Sequence, residues 1–318
     1  MRFTARQGKH SWLNFLLLLA ATGVFAAGAH AQSLKVTLLG TGYPQPRMDR
    51  FGPSILVEAG NEKLLFDCGR GAAQRLEQLR VPFAEVGALF LTHLHSDHVV
   101  GIPDFWLTGW IAGRKVPLRI SGPVGTKNMM THLQQAFEFD IHIRRDVDEK
   151  LPGQGVLVEA QDIQEGIVYE NGALKVTAFF VDHGLVKPAL GYRVDFAGHS
   201  VVLSGDTRPS ENLIRWARGT DLLVHEVIDP EAFMRDRAGL FTPEMVRQIL
   251  GHHTTPEQAG TIFATVKPKL AVYSHIIPGN AQNFIPLTRK TYSGPLEVGE
   301  DLMSIEIGDK VVVSRHNP

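Results

Sequence analysis

Apolar residues recur along the chain in short uninterrupted runs closed by turn residues, the pattern of strands buried on both faces. Residues 34–39 form one such run, ending in Gly40-Thr41-Gly42. Residues 54–59 and 63–66 form two more, joined across Gly60-Asn61 as a hairpin. Residues 70–79 have helical spacing, which Val81-Pro82 stops. The run Ala88-Leu89-Phe90-Leu91 predicts a strand, and residues 104–112 a helix. A strand at 118–121 and a helix at 125–139 follow. Residues 140–172 are mixed, with turn signals at Pro152-Gly153 and Gly155.

The second half repeats this rhythm. Strands are predicted at 174–181, 191–196, 200–203, 222–224 and 270–273, and helices at 212–217, 244–250 and 256–266. Hairpin strands with interspersed helices, twice over, predict two β-sheets packed together with helices outside. There is no short-period repeat and no low-complexity tract. The Gly40-Thr41-Gly42 loop lacks the lysine and the strand–loop–helix context of a phosphate cradle, so it reads as a turn near the site.

The N-terminus changes the picture of where the fold begins. Arg2, Arg6 and Lys9 precede an apolar stretch from Trp12 to Ala27, and Ala29-His30-Ala31 stands before Gln32. This is the layout of a secretory signal peptide with an A-x-A cleavage site. The apolar core is short for a membrane span, although an uncleaved anchor is the competing reading. Residues 1–31 are set apart as a leader, and residues 32–318 form the expected folded domain, periplasmic or secreted. Without the leader the chain has 29 basic and 33 acidic residues, net −4, so it exerts no overall pull on nucleic acid. The lone Cys68 forms no internal disulfide and reads as a small buried residue at a strand end.

The candidate chemistry is concentrated in Thr92-His93-Leu94-His95-Ser96-Asp97-His98. Three imidazoles and a carboxylate in six positions serve no purpose in core packing. They sit at a strand's C-terminal end, where α/β folds place chemistry. On a turning backbone His93 and His95 project to one side while Asp97 and His98 face a second point, so one segment can serve two metals. Imidazole and carboxylate suit zinc; imidazole also accepts iron or nickel. Further residues of this type recur after apolar runs: His183, Asp206 in Ser204-Gly205-Asp206-Thr207, and His275. Seven ligands suffice for two ions if one carboxylate bridges, and Asp206 is the natural bridge because it has two oxygens.

His93-x-His95-x-Asp97-His98, followed by His183, the Gly-Asp206-Thr motif and His275, resembles the metallo-β-lactamase superfamily. The closer resemblance is to the branch with ribonuclease Z and the zinc-dependent arylsulfatases. It runs from Val36–Gly42 through Asp67-Cys68-Gly69, Gly191-Tyr192-Arg193 and Asp221–Glu226 to His275, nearly all of the chain after the leader. It implies an αββα sandwich of two mixed β-sheets flanked by helices, with two Zn²⁺ ions at one edge. The first ion would take His93, His95 and His183, the second Asp97, His98 and His275, with Asp206 bridging. Asp97 would orient or deprotonate the attacking water. His253, in Gly251-His252-His253-Thr254, matches the ribonuclease Z position that stabilises the scissile phosphate or leaving group. His252 reads as a solvated loop residue. His225-Glu226 reads equally as a ligand-orienting pair and as structure, Arg208 as a partner for a carboxylate, and Phe105, Trp106 and Trp110 as core with an aryl pocket as the alternative.

Several activities share this site. A β-lactamase is disfavoured, because its types use a later cysteine or lack the Gly-Asp-Thr carboxylate; a lactonase keeps all seven ligands. Residues 142–172 carry Arg144 and Arg145 among Asp146, Asp148, Glu149, Glu159, Asp162, Glu165 and Glu170, with no clear basic arm for transfer RNA. The expectation is therefore an exported hydrolase of small phosphate or sulfate esters, arylsulfatase- or phosphodiesterase-like. A ribonuclease Z-like endoribonuclease acting on tRNA 3′ ends is the alternative. The partner expected is a small-molecule ester rather than nucleic acid, with no stable membrane span after leader removal and a homodimer left open. A metal-binding sensor module and an oxygen-activating iron protein are the readings from other classes.

Overall fold

The computed structural model of the protein describes residues 33–279 and 281–316. The leader reading over residues 1–31 lies outside the described residues. Among those described, no helix is long and apolar enough to cross a membrane.

The first six strands are β1 (Leu34–Gly40), β2 (Ser54–Ala59), β3 (Glu62–Phe66), β4 (Val86–Phe90), β5 (Leu118–Gly122) and β6 (Val158–Asp162). Seven more follow: β7 (Gly166–Asn171), β8 (Leu174–His183), β9 (Val186–Phe196), β10 (His199–Leu203), β11 (Leu222–Ile228), β12 (Leu270–Ile277) and β13 (Leu296–Val298). The last two are β14 (Ser304–Ile307) and β15 (Val311–Ser314). They form an eight-stranded sheet ordered β15-β14-β1-β2-β3-β4-β5-β6 and a seven-stranded sheet ordered β13-β12-β11-β10-β9-β8-β7.

Alternation of side chains across each strand explains the layers. In β3, Leu64 and Phe66 enter the core between the sheets, whereas Leu65 joins the layer beneath the helices. In β10, Val201 and Leu203 face the same inter-sheet core while Val202 turns to the other outer layer. Helices α1 (Ala72–Gln78), α2 (Ser96–Val99), α3 (Ile102–Ile111), α4 (Thr126–Ala136) and α5 (Glu138–His142) come from the first half. Residues of α1, α3, α4 and α5 cover the first sheet. From the second half come α6 (Glu211–Ala217), α7 (Pro230–Asp236), α8 (Pro243–Leu250), α9 (Pro256–Val266) and α10 (Ala281–Thr288), with residues of α6, α9 and α10 covering the second sheet. The expected αββα sandwich of two mixed sheets is the observed architecture.

Where the sequence pattern was weak, elements differ. The single helix expected over 125–139 is two, because Phe137 (φ −102°, ψ 10°) leaves helical geometry as its ring packs edge-on to Trp106 at 6.4 Å. The mixed stretch 140–172 holds β6 and β7, edge strands whose residues are largely exposed or half-buried and so lack an apolar run. Phe105, Trp106 and Trp110 are buried. Trp106 Nε1 and Trp110 Nε1 donate to Val156 O and Pro152 O, both at 2.9 Å, so these rings are core rather than an aryl pocket. Cys68 is buried, and burial pushes its thiol well above the ordinary range.

Strand direction positions the site. β3, β4, β5 and β6 run parallel, as do β10, β11, β12 and β13. β8 lies antiparallel to β9, which lies antiparallel to β10, so β8 runs with β10. The two sheets are hydrogen-bonded to each other at this end: Leu190 N donates to Thr92 O at 2.8 Å, and the Tyr192 hydroxyl to Leu91 O at 2.6 Å. Removing the hydroxyl withdraws a buried donor. Tyr192→Phe is expected to cost about 1–3 kcal/mol, read as a lower urea midpoint at unchanged m-value; an unmoved midpoint would show that this bond does not tie the sheets together.

Candidate metal centre

The predicted ligands lie at strand ends, on the turn and short helix beyond β4, and at a kink inside β12. β4 ends at Phe90 and hands over to His93 and His95; the chain then turns into the one-turn helix α2, which carries Asp97 and His98. His183 is the last residue of β8. Asp206 follows β10 through Gly205, whose φ of +59° and a would-be Cβ 2.5 Å from Leu190 O both demand glycine. His275 lies within β12 at φ +45°, a strained setting for a side-chain-bearing residue. The β11–β12 register is irregular here, between His225 and Val227. Such bulges re-aim side chains, and Ile276 N donating to Thr41 O at 2.9 Å holds the kink. That bond also places the Gly40-Thr41-Gly42 turn beside the site, as expected.

All seven residues converge. His93, His95, His183 and Asp206 form one group of ligand-type atoms, and Asp97, His98 and His275 another, each within 4.8 Å internally. Asp206 faces both: its Oδ2 is 3.9 Å from His93 Nε2 and from His183 Nε2, and 3.4 Å from His275 Nε2, while Oδ1 is 3.4 Å from His98 Nε2. His95 Nδ1 is 3.5 Å from His183 Nε2, and Asp97 Oδ2 is 3.3 Å from His275 Nε2 and 3.6 Å from His98 Nε2. Ligands about 2.1 Å from a tetrahedral zinc lie about 3.4 Å from one another. Buried His93 Nε2, His98 Nε2 and Asp206 Oδ1 point into this space with no hydrogen-bond partner among the described residues. Buried polar atoms are normally paired. The donor set therefore fits metal ions.

The far side of three of the five rings is held. His98 Nδ1 donates to Asp67 Oδ2 at 2.8 Å, and Asp67 also accepts from Thr92 N and Thr92 Oγ1, both at 2.8 Å. His93 Nδ1 is 3.0 Å from Thr92 Oγ1, and His183 Nδ1 donates to His252 O at 3.1 Å. These bonds select the tautomers with Nε2 lone pairs aimed inward. Burial, reinforced by His98, holds His93 well below the ordinary imidazole range. For Asp206 burial works the other way, but His275, His98 and His93 outweigh it and keep the carboxyl well below its usual range. Neutral imidazole and ionised carboxylate are the metal-binding forms.

His253 lies beside this group. Its ring stacks 6.0 Å from that of His275, and its Nδ1 is 2.9 Å from Glu226 Oε1. Glu226 Oε1 also accepts from Thr207 N at 3.0 Å. The pair His225-Glu226 thus divides its roles: Glu226 holds His253, while His225 Nδ1 turns to the Glu226 carbonyl at 2.7 Å and its ring packs edge-on to Phe263 at 5.8 Å. Arg208 pairs with Asp182 at 2.7 Å, as expected. Two residues escaped the sequence reading. Asp67 stood next to the cysteine that drew attention, although a carboxylate directly after an apolar strand was its signal. His252 is half-buried against His183, ring to ring 4.7 Å, rather than a solvated loop residue.

A sandwich of two sheets with a seven-residue His/Asp constellation at one edge defines a class of metallohydrolases. A family model described as Beta-lactamase superfamily domain matches residues 62–276, and the chain belongs to this superfamily as a metal-dependent hydrolase of ester bonds. Its homologues are named Ribonuclease Z: that of Mycolicibacterium gilvum is 34% identical over 281 residues, covering 86% of this chain and 96% of the relative. The fold is shared with the human tRNase Z short form, at TM-score 0.63 and 22% identity over 85% of this chain and 98% of that one. It is shared too with Zn²⁺-bound PqqB from Methylobacterium extorquens, at TM-score 0.62 and 17% identity over 85% and 99%.

The ribonuclease Z relatives overturn the expectation of an exported arylsulfatase- or phosphodiesterase-like hydrolase of small esters, and with it the argument against nucleic acid. That argument failed for a physical reason. Net charge sums a whole surface and is silent about one cleft, and part of the insert's acidity is neutralised locally: Glu149 pairs with Arg144 at 2.6 Å, Asp146 with Arg145 at 2.7 Å and Glu165 with Arg215 at 3.6 Å.

Asp67→Ala leaves His98 without its orienting acceptor. Loss of such a partner is expected to weaken metal retention about 10- to 100-fold, measured by competition with a chromophoric chelator; unaltered retention would remove Asp67 from the site.

Proposed function

We propose that the protein is a ribonuclease Z-type endoribonuclease that cleaves the phosphodiester backbone of transfer RNA precursors at the 3′ side. The observation that carries this reading is the likeness to ribonuclease Z over 86% of the chain, and the superfamily domain matched at residues 62–276 spans every residue of the constellation. The His253–Glu226 pair suits the same task. Two Zn²⁺ ions are proposed, one held by His93, His95 and His183, the other by Asp97, His98 and His275, with Asp206 reaching both. When bound, such ions supply Lewis acidity and a water of pKa near roughly 7.

The chain's own residues do the rest. Asp97, with Oδ2 at the inner face of the group, takes the proton of the attacking water. His253 gives a proton from Nε2 to the leaving oxygen, because Nδ1 is committed to Glu226. Burial brings the His253 imidazole down to about 4 and lifts the Glu226 carboxyl well above its usual range, with Asp206 adding to the latter. The pair is thus short of charge until an anionic phosphodiester arrives to favour the imidazolium. The leader reading belongs to this proposal as a separate part, and N-terminal sequencing of the mature protein, expected to begin at Gln32, tests it.

Zinc-loaded protein is expected to cut a precursor tRNA bearing a 3′ trailer, to lose the activity on chelation and to regain it with zinc. Intact precursor under those conditions would refute the proposal. His253→Ala is expected to lower the rate on RNA by roughly 10²- to 10⁴-fold and to affect bis(4-nitrophenyl) phosphate far less, because nitrophenolate leaves without a proton. Equal losses on both substrates would argue against proton donation.

A further inference from the structure

His252 is not one of the seven, but with His183 and His253 it forms a third group of ligand-type atoms within 4.8 Å at the constellation's border. Its backbone is committed, since the His252 carbonyl accepts Nδ1–H of His183 at 3.1 Å. Its ring forms one corner of a triangle of imidazoles with His183 and His253, centroids 4.7, 4.8 and 5.0 Å apart. The opposite side is closed by the turn after β8, where Gly184 has φ +65° and a Cβ would stand 3.0 Å from His252 Cβ. A ring so confined has little rotamer freedom to lose. Yet it is half-buried rather than enclosed, on the side of the group where His95 is also exposed. Neither of its ring nitrogens has a hydrogen-bond partner among the described residues. His183 and His253 each spend a nitrogen on the protein; His252 keeps both.

We propose that His252 is a substrate-contact residue, donating a ring N–H to a non-bridging oxygen of the phosphodiester that engages His253. The inference rests on the phosphodiesterase chemistry proposed above. Two imidazoles 4.8 Å apart suit two oxygens of one phosphate, and they divide the work. His253, tied to Glu226, delivers the proton. His252, tied to nothing, binds and orients the anion. Loss of the contact therefore falls on KM and leaves kcat close to wild type.

The test compares His252→Ala and His252→Gln with wild type as full-length, zinc-loaded protein. Steady-state kcat and KM are measured on precursor tRNA and on bis(4-nitrophenyl) phosphate, alongside zinc content. Removing a hydrogen bond to a charged group is expected to raise KM for both substrates about tenfold to a hundredfold in the alanine variant. The glutamine variant, whose amide still donates, should recover much of that, and both should hold as much zinc as wild type. An unchanged KM, a loss confined to kcat, a fall in zinc content, or a glutamine variant no better than alanine would each overturn the proposal. If wild type leaves precursor tRNA intact, the proposed function fails on its own account, and the KM comparison on the nitrophenyl diester still decides the contact.

Discussion

The constraint from which the rest follows is electrostatic. Five imidazoles and two carboxylates share one edge of the sandwich, all but His95 buried. Their inward lone pairs face one another at 3.3–3.9 Å with no proton donor between most of them. Acceptors cannot satisfy acceptors, and burial charges a desolvation cost for each. Positive charge in the middle resolves the arrangement: protons on His98 and His275, whose imidazoles the facing carboxylates raise against burial, or metal cations, which also serve His93 and His183. The protein must therefore hold the donors in place by other means, since without that positive charge they gain nothing from being together.

Those means are distributed through both sheets. Parallel strand directions bring the ends of β4, β8, β10, β11 and β12 to the same edge. The Leu190–Thr92 and Tyr192–Leu91 bonds lock one sheet to the other at that edge. Asp67, Thr92 and the His252 carbonyl fix three of the rings from behind. The local irregularity at Glu226 and the left-handed backbone at His275 turn two side chains that a regular ladder would aim elsewhere. Strain at such points persists only where the surroundings enforce it, and here Thr41, itself bound to Asp301, supplies the enforcement.

Catalytic and structural duties meet at Glu226. Its carboxylate supports His253 and caps Thr207 N, the residue after Asp206. One side chain thus couples the proton-donating histidine to the turn that presents the carboxylate shared by both groups. Neighbouring His225, chemically better suited to a metal, is kept out by facing Phe263 instead.

Much of this was legible before any coordinates. The strands of both halves declared themselves because a strand buried on two faces needs a continuous apolar run, and the seven ligand-type residues because each interrupts or follows such a run. Elements at sheet edges, β6 and β7, were hidden for the converse reason: exposure on one side dilutes the apolar signal. Composition misled where it was asked about a cleft, since the charge of the whole chain carries no position. What the residues alone determined was the fold class and the identity of the chemistry-bearing groups, both of which follow from local periodicity and residue type. Only the tertiary structure decided that Asp67 orients His98, that Glu226 rather than His225 serves the site, and that His252 leans into it. Those are contacts between segments far apart in the chain, made by strand register, bulges and backbone carbonyls that have no signature in the order of amino acids.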